Sequence, residues 1–211
     1  MKIQVNARNR AHHFDAAPED RILYAGLSRA IGLPYECGSG TCGTCKARLV
    51  SGEIDDAWPE APGRKYLKHA DEFLMCQCAA RGDVSLEVAS FVEDLDAGVC
   101  VPAAMRATIR DTALLTHDVM SLHIDLERPM EFDAGQFVLV RVPGIDGHRG
   151  WSMVNYERGA TTLQFVVKKK PGGRVSDWLF EAQRAGTAVE VFGPLGSATF
   201  YPEVAKNVLC I

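Results

Sequence analysis

A chain of 211 residues, 47% hydrophobic and 24% charged, lies within the range of ordinary globular proteins and is long enough for two domains of about 100 residues. It has no apolar run of about 18 residues to cross a membrane, and MKIQVNARNR at its start lacks the apolar stretch of a secretion signal. A cytoplasmic location without a membrane partner is therefore expected, and the net charge of −4 argues against nucleic acid, which wants a basic face.

The acidity belongs to the first half, where residues 1–98 hold 15 acidic and 11 basic side chains, while 99–211 hold 12 of each. Such a balance allows docking to a positively charged protein patch. Ile3 and Val5 alternate with polar neighbours, as on a strand, and Leu23, Leu27, Ala30 and Ile31 fall at helical spacing. Val84, Leu86 and Val88 alternate again, which predicts a strand with one buried face. The acidic, aperiodic stretch EDLDAGVCVPAA at 93–104 reads as a domain connection.

Beyond it, Met120/Leu122/Ile124/Leu126, Phe137/Leu139, Leu163/Phe165/Val167 and Val189/Val191 predict strands at regular spacing, hence a barrel or sandwich. One helix interrupts them, with Val175, Trp178, Leu179 and Ala182 on a single face directly after Gly172-Gly173. The expected fold class is α+β: a domain over 1–95, a linker over 96–103, an antiparallel β-barrel over 104–200, and the start of a further domain over 201–211.

Seven cysteines, three of them within nine residues, point to metal ligation and not to a disulfide framework. Cys37, Cys42 and Cys45 stand at C-x4-C-x2-C spacing in YECGSGTCGTCK, and LMCQC follows with Cys76 and Cys78. This is the plant-type [2Fe-2S] pattern, in which four soft thiolates complete two tetrahedral irons. A structural zinc site or buried free thiols are the other readings, and zinc sites usually pair their ligands as two C-x2-C knuckles. On a strand Cys76 and Cys78 would share a face, so spacing leaves both open as the fourth ligand. Gly38, Gly40 and Gly43 allow the loop to wrap a cluster with its N–H groups inward. Cys100 and Cys210 read as inert core or linker thiols, and the six histidines show no ligand spacing.

These residues, with Leu74-Met75-Cys76-Gln77, resemble the plant-type ferredoxin family. The resemblance implies a β-grasp fold and Cys76 as the fourth ligand beside Cys37, Cys42 and Cys45. DAGQFVLVRVPG (133–144), RGWS (149–152), KPGGRVS (170–176) and FGPLGS (192–197) resemble, in that order, the flavin domain of ferredoxin-NADP reductases, above all in reductase components of bacterial ring-hydroxylating and related oxygenases. Physically, Arg149 offers a fork for a diphosphate, Trp151 an aromatic face for an isoalloxazine, and Gly172-Gly173 a helix start that favours an anion. Gly193-Pro194-Leu195-Gly196, taken alone, reads as a plain turn.

The resemblance implies FAD held by Arg149, Trp151, Ser152, Val167, Lys168, Gly173, Val175 and Ser176, with Trp151 where the family usually has Tyr. It assigns no side chain of this chain to proton chemistry. In the family a nucleotide-binding lobe follows; Asn207–Ile211 reads as its first strand, and the chain is expected to be a fragment or to be completed by a partner. The implied function is electron transfer from flavin to a [2Fe-2S] cluster in an NADH-dependent reductase serving an oxygenase component. The alternative is a redox-sensing or relay protein with a non-oxygenase partner.

Overall fold

The computed structural model describes residues 1–199. They divide into two compact units, one of Met1–Ala103 with Gly144–Gly150, the other of Ala104–Pro143 with the chain from Trp151 onward.

The first unit contains β1 (Lys2–Asn6), β2 (Ala11–Asp15), α1 (Ile22–Leu27), β3 (Lys46–Ser51), β4 (Ile54–Asp56), a 3-10 turn at Pro62–Tyr66, β5 (Glu72–Leu74), β6 (Cys78–Ala80) and β7 (Val84–Glu87). Five strands form one sheet in the order β2-β1-β7-β3-β5, and β4 pairs with β6 apart from it. β1 and β7 run parallel; the β1–β2, β3–β5 and β3–β7 pairs are antiparallel. This is the mixed sheet expected of a β-grasp. Ile3, Val5, Val84 and Leu86 supply its buried face, and every residue of α1 is buried.

The helix expected to run through Ile31 stops at Leu27. Ala30 adopts φ 58°, Leu33 packs over Gly26, and Gly32 N–H donates to the Glu93 carbonyl at 2.8 Å. The pairing of Ile31 with Asp94 therefore competes with the helical period and prevails. His12, given no role from sequence, is buried with Nε2 3.0 Å from the Val92 carbonyl.

The remaining elements are β8 (Ala103–Leu114), β9 (Val119–Met130), β10 (Phe137–Arg141), β11 (Arg149–Ser152), β12 (Ala160–Lys168), α2 (Arg174–Glu181) and β13 (Ala188–Leu195), the strands in the sheet order β11-β10-β13-β8-β9-β12; all lie in the second unit except Ala103, Arg149 and Gly150 at the starts of β8 and β11. The β8–β9, β9–β12 and β10–β13 pairs are antiparallel. The chain after β11 returns to the opposite edge: Val154 N–H donates to the Gln164 carbonyl at 2.9 Å, and the Asn155 side chain bonds the backbone of Thr162 and Gln164. The sheet curls into a barrel around Ile109, Leu122, Ile124, Val138, Leu163, Phe165 and Val191.

β8 escaped the sequence reading although Met105, Ala107 and Ile109 alternate inward; it begins inside the stretch read as a connection. The expected turn at Gly193–Gly196 lies largely within β13, where Leu195 pairs with Phe137 and Phe192 with Leu139 across an irregular register that accommodates Pro194. A Cβ on Gly193 would come within 2.8 Å of Val138 Cγ1, so this glycine serves close strand contact and not a turn. α2 ends one residue before Ala182, which is extended, and Trp178 is only partly buried.

Candidate electron-transfer site

The segment between α1 and β3 carries Cys37, Cys42 and Cys45 in a loop held open by positive φ at Gly38 (60°), Gly40 (85°) and Gly43 (79°). An L side chain rarely takes these dihedrals. The loop therefore turns its N–H groups toward sulfur: Ser39, Thr41 and Cys42 donate to Cys37 Sγ at 3.4, 3.4 and 3.3 Å, and Thr44 to Cys42 Sγ at 3.5 Å. Burial opposes ionisation of Cys37, but the donors from Thr41, Cys42 and Ser39 outweigh it and bring its pKa down to about 6.

Cys76 follows β5 and is fully buried, with its Sγ 3.2 Å from Cys45 Sγ. The shared hydrogen bond lowers the pKa of Cys45 and raises that of Cys76, while the charge on Cys37 raises both. The sulfurs thus group in pairs, Cys45 with Cys76 and Cys37 beside Cys42. Among the described residues no three metal-ligating side chains stand close enough to hold one ion. Two irons sharing four thiolates suit a pairwise arrangement.

Cys78 sits differently. It opens β6 opposite Asp56, is fully buried, and burial followed by the Asp56 charge pushes its thiol up to about 12.

The surroundings of the loop were not legible from its motif. Tyr24 on α1, buried and with its pKa raised by that burial, donates its hydroxyl to the Gly38 carbonyl at 2.8 Å. Buried Gln77 donates to Cys76 Sγ at 3.3 Å and fills the space a Cβ on Gly40 would need. From β4 onward the chain braces the loop. Asp56 pairs with Arg64, Gly63 N–H donates to the Gly40 carbonyl at 2.8 Å, and the Tyr66 ring lies against Gly43. Only the Pro62-Gly63 dipeptide signalled a turn there.

Of the residues expected at the flavin, Val167 and Lys168 lie on β12, Trp151 packs against that strand, Arg149 and Ser152 lie with it on β11, and Gly173, Val175 and Ser176 lie at the start of α2. Trp151 on β11 packs beside Phe165, ring centroids 5.7 Å apart. Arg149 and Trp151 are half-buried and alternate with exposed Gly150 and Ser152, and Arg149 Nη1 donates to the His148 carbonyl at 2.8 Å. Val167 is buried opposite Met120, and exposed Lys168 closes the strand 3.7 Å from Asp118. The next loop takes φ 68° at Gly172 and delivers Gly173 as the N-cap of α2. Gly173 packs so tightly that a Cβ would meet Ser176 Oγ at 2.7 Å. Ser176 Oγ accepts from Lys170 N–H at 3.1 Å and lies within bonding distance of the Lys170 and Gly173 carbonyls. Val175 is buried beneath this helix start, whose unpaired N–H groups favour an anion. Cys100 is partly exposed, and Cys210 and Asn207–Ile211 lie outside the described residues.

A thiolate-bearing loop in a β-grasp and a curled antiparallel barrel define an iron-sulfur flavoprotein. Residues 5–81 match the 2Fe-2S iron-sulfur cluster binding domain and residues 106–200 the oxidoreductase FAD-binding domain, and the chain belongs to the oxidoreductases that join the two. Its cofactors are accordingly a [2Fe-2S] cluster and FAD.

Among relatives, the chain is 36% identical over 193 residues to a ferredoxin–NAD(P)(+) reductase of Metapseudomonas resinovorans, covering 90% of this chain and 58% of the relative. It is 31% identical to the ferredoxin–NAD(+) reductase component of the alkene monooxygenase system of Xanthobacter autotrophicus, covering 96% and 62%. The solved ferredoxin reductase in carbazole 1,9a-dioxygenase superposes with a TM-score of 0.81 at 33% identity, covering 97% of this chain and 60% of that one. An Amycolatopsis cytochrome P450 reductase does so with a TM-score of 0.72 at 30% identity, covering 97% and 61%. The chain thus spans about three fifths of the length of these proteins.

Proposed function

We propose that this chain passes electrons from FAD to a [2Fe-2S] cluster, as part of an NADH-dependent reductase that supplies an oxygenase component. The observation that carries the reading is the sulfur-directed loop: four cysteines in two pairs, with backbone N–H groups aimed at the thiolates that would hold iron. When bound, FAD accepts two electrons together and releases them singly, and the cluster carries one at a time.

Cys37, Cys42, Cys45 and Cys76 are the proposed ligands, within a ferredoxin domain over 1–95. The N–H donors to Cys37 and the Gln77 amide at Cys76 spread thiolate charge and so help set the potential. Tyr24 fixes the Gly38 carbonyl, and Gly63 the Gly40 carbonyl, so the loop needs little rearrangement when the charge changes.

In the flavin domain, over 104–200 beyond a linker at 96–103, Arg149 and the start of α2 at Gly173, Val175 and Ser176 take the diphosphate. Trp151, held beside Phe165, offers the isoalloxazine an aromatic face, with Ser152, Val167 and Lys168 along its edge. NADH would reach the flavin through a lobe beyond residue 200. An oxygenase component as acceptor is supported by the relatives, which serve alkene monooxygenase and carbazole dioxygenase systems. A reducing, cytoplasmic location suits cysteines used as thiolates.

The test is anaerobic flash photoreduction of the flavin while the cluster absorbance is followed. Bleaching of the cluster as the flavin reoxidises is expected; flavin reoxidation that leaves the cluster unchanged would overturn the proposal.

A further inference from the structure

The chain is acidic, with a net charge of −4, yet the segment that braces the cysteine loop from the 3-10 turn is not. Between Ala57 and Ala70 the sequence holds Arg64, Lys65 and Lys68 against one carboxylate, exposed Glu60. Arg64 is neutralised by Asp56. Lys65 and Lys68 are exposed, and among the described residues neither has a carboxylate within ion-pair distance. Of the carboxylates that follow in sequence, Glu72 accepts from the Lys68 and His69 backbone N–H groups and pairs with Lys46 at 3.1 Å, and Asp71 pairs with Arg48 at 3.2 Å; exposed Glu36 precedes Cys37 at the start of the cysteine loop.

Tyr66 stands between these lysines, 48% exposed, with Lys65 Nζ 5.0 Å from its ring centroid. The same side chain meets Gly43, where a Cβ would fall 2.7 Å from Tyr66 Cδ2. The loop crest at Thr41 and Thr44 is itself exposed. A cationic, aromatic surface thus abuts the exposed part of the cysteine loop.

We infer that Lys65, Tyr66 and Lys68 form the docking surface for the protein that takes electrons from the cluster, and that this acceptor presents an acidic face. The inference rests on the electron-transfer reading above. Charge at an encounter surface acts chiefly on the association rate, and aromatic side chains recur at interface centres. Transfer moves one electron from the reduced chain to one ferric acceptor centre, with no bond made or broken.

Overall charge and local charge predict opposite behaviour, which makes the inference testable. The holoprotein, photoreduced anaerobically, is mixed in stopped flow with acidic cytochrome b5 or basic cytochrome c over a range of salt. The patch predicts a rate constant for the acidic acceptor that falls as salt rises, although the chain as a whole would repel it. K65E/K68E is expected to slow that acceptor about tenfold at low salt and to abolish the fall, while a control reversal at the first strand and turn, K2E/R8E, is not. An unchanged visible spectrum in each variant keeps the comparison one of docking. A rate for the acidic acceptor that rises with salt, or is indifferent to K65E/K68E, overturns the inference and leaves the electron-transfer reading standing. Failure to reduce either cytochrome, with no cluster spectrum, overturns both.

Discussion

Replacing Gly63 with alanine tests whether the 3-10 turn braces the cysteine loop. The added Cβ would lie 2.8 Å from the Gly40 carbonyl oxygen and 3.1 Å from Gly43 N, both backbone atoms of the loop. Gly63 does not use the left-handed region, so alanine meets no backbone strain and the effect is steric. Overpacking of this kind costs about 1–3 kcal/mol. Losing the 2.8 Å bond from Gly63 N–H to Gly40 adds roughly 1 kcal/mol. If cluster loss proceeds through opening of this contact, a cost of about 2 kcal/mol raises the open population roughly thirtyfold. Gly82→Ala is the control: nothing lies within 4 Å of its Cβ, and it should stabilise by about 0.4–1 kcal/mol. The assay is the rate at which visible absorbance bleaches in chelator at fixed temperature. Equal rates for G63A and G82A would refute the bracing.

Cys78→Ser should keep two irons and an unaltered spectrum while losing stability, because a hydroxyl is buried at β6; Cys76→Ser should lose or visibly alter the cluster, as read by absorption and iron content. Glu72 has its pKa lowered to about 2, first by the Lys68 N–H and also by Lys46 and the His69 N–H. Its folded value lies below the unfolded one, so its contribution is complete above about pH 4.5 and is lost as pH falls through about 2. Glu72→Gln should therefore flatten the acid side of a stability-versus-pH curve over that window, measured by denaturant midpoints. Gly193→Ala, which drives a Cβ against Val138 between β10 and β13, should cost about 1–3 kcal/mol and lower the temperature of flavin release.

The local geometry of the candidate motifs was legible because it is set within single loops. Cys37-x4-Cys42-x2-Cys45 and Gly172-Gly173 each place their atoms within one loop, where glycine dihedrals and a helix start decide the geometry. Alternating strands such as β9 and β12 were legible for the same reason. What escaped depends on partners distant in sequence. Tyr24, Gln77 and Gly63 reach the cysteine loop from α1, from the residue after Cys76 and from the 3-10 turn, and no period in the sequence records those contacts. The end of α1 was misread because Gly32 and Ile31 pair with residues 93 and 94, and the tertiary pairing outweighs the local preference for helix. Pro194 signals a turn locally, but the irregular β10–β13 register lets it sit inside a strand.

The most direct test of a flavin and a cluster in one chain is iron, sulfide and released-flavin analysis beside the visible spectrum of anaerobically purified protein. The cysteine pairs and the two matched domains predict about two irons and two sulfides, with one FAD, per chain. Zinc in place of iron, or a chain that releases no flavin, would contradict the account.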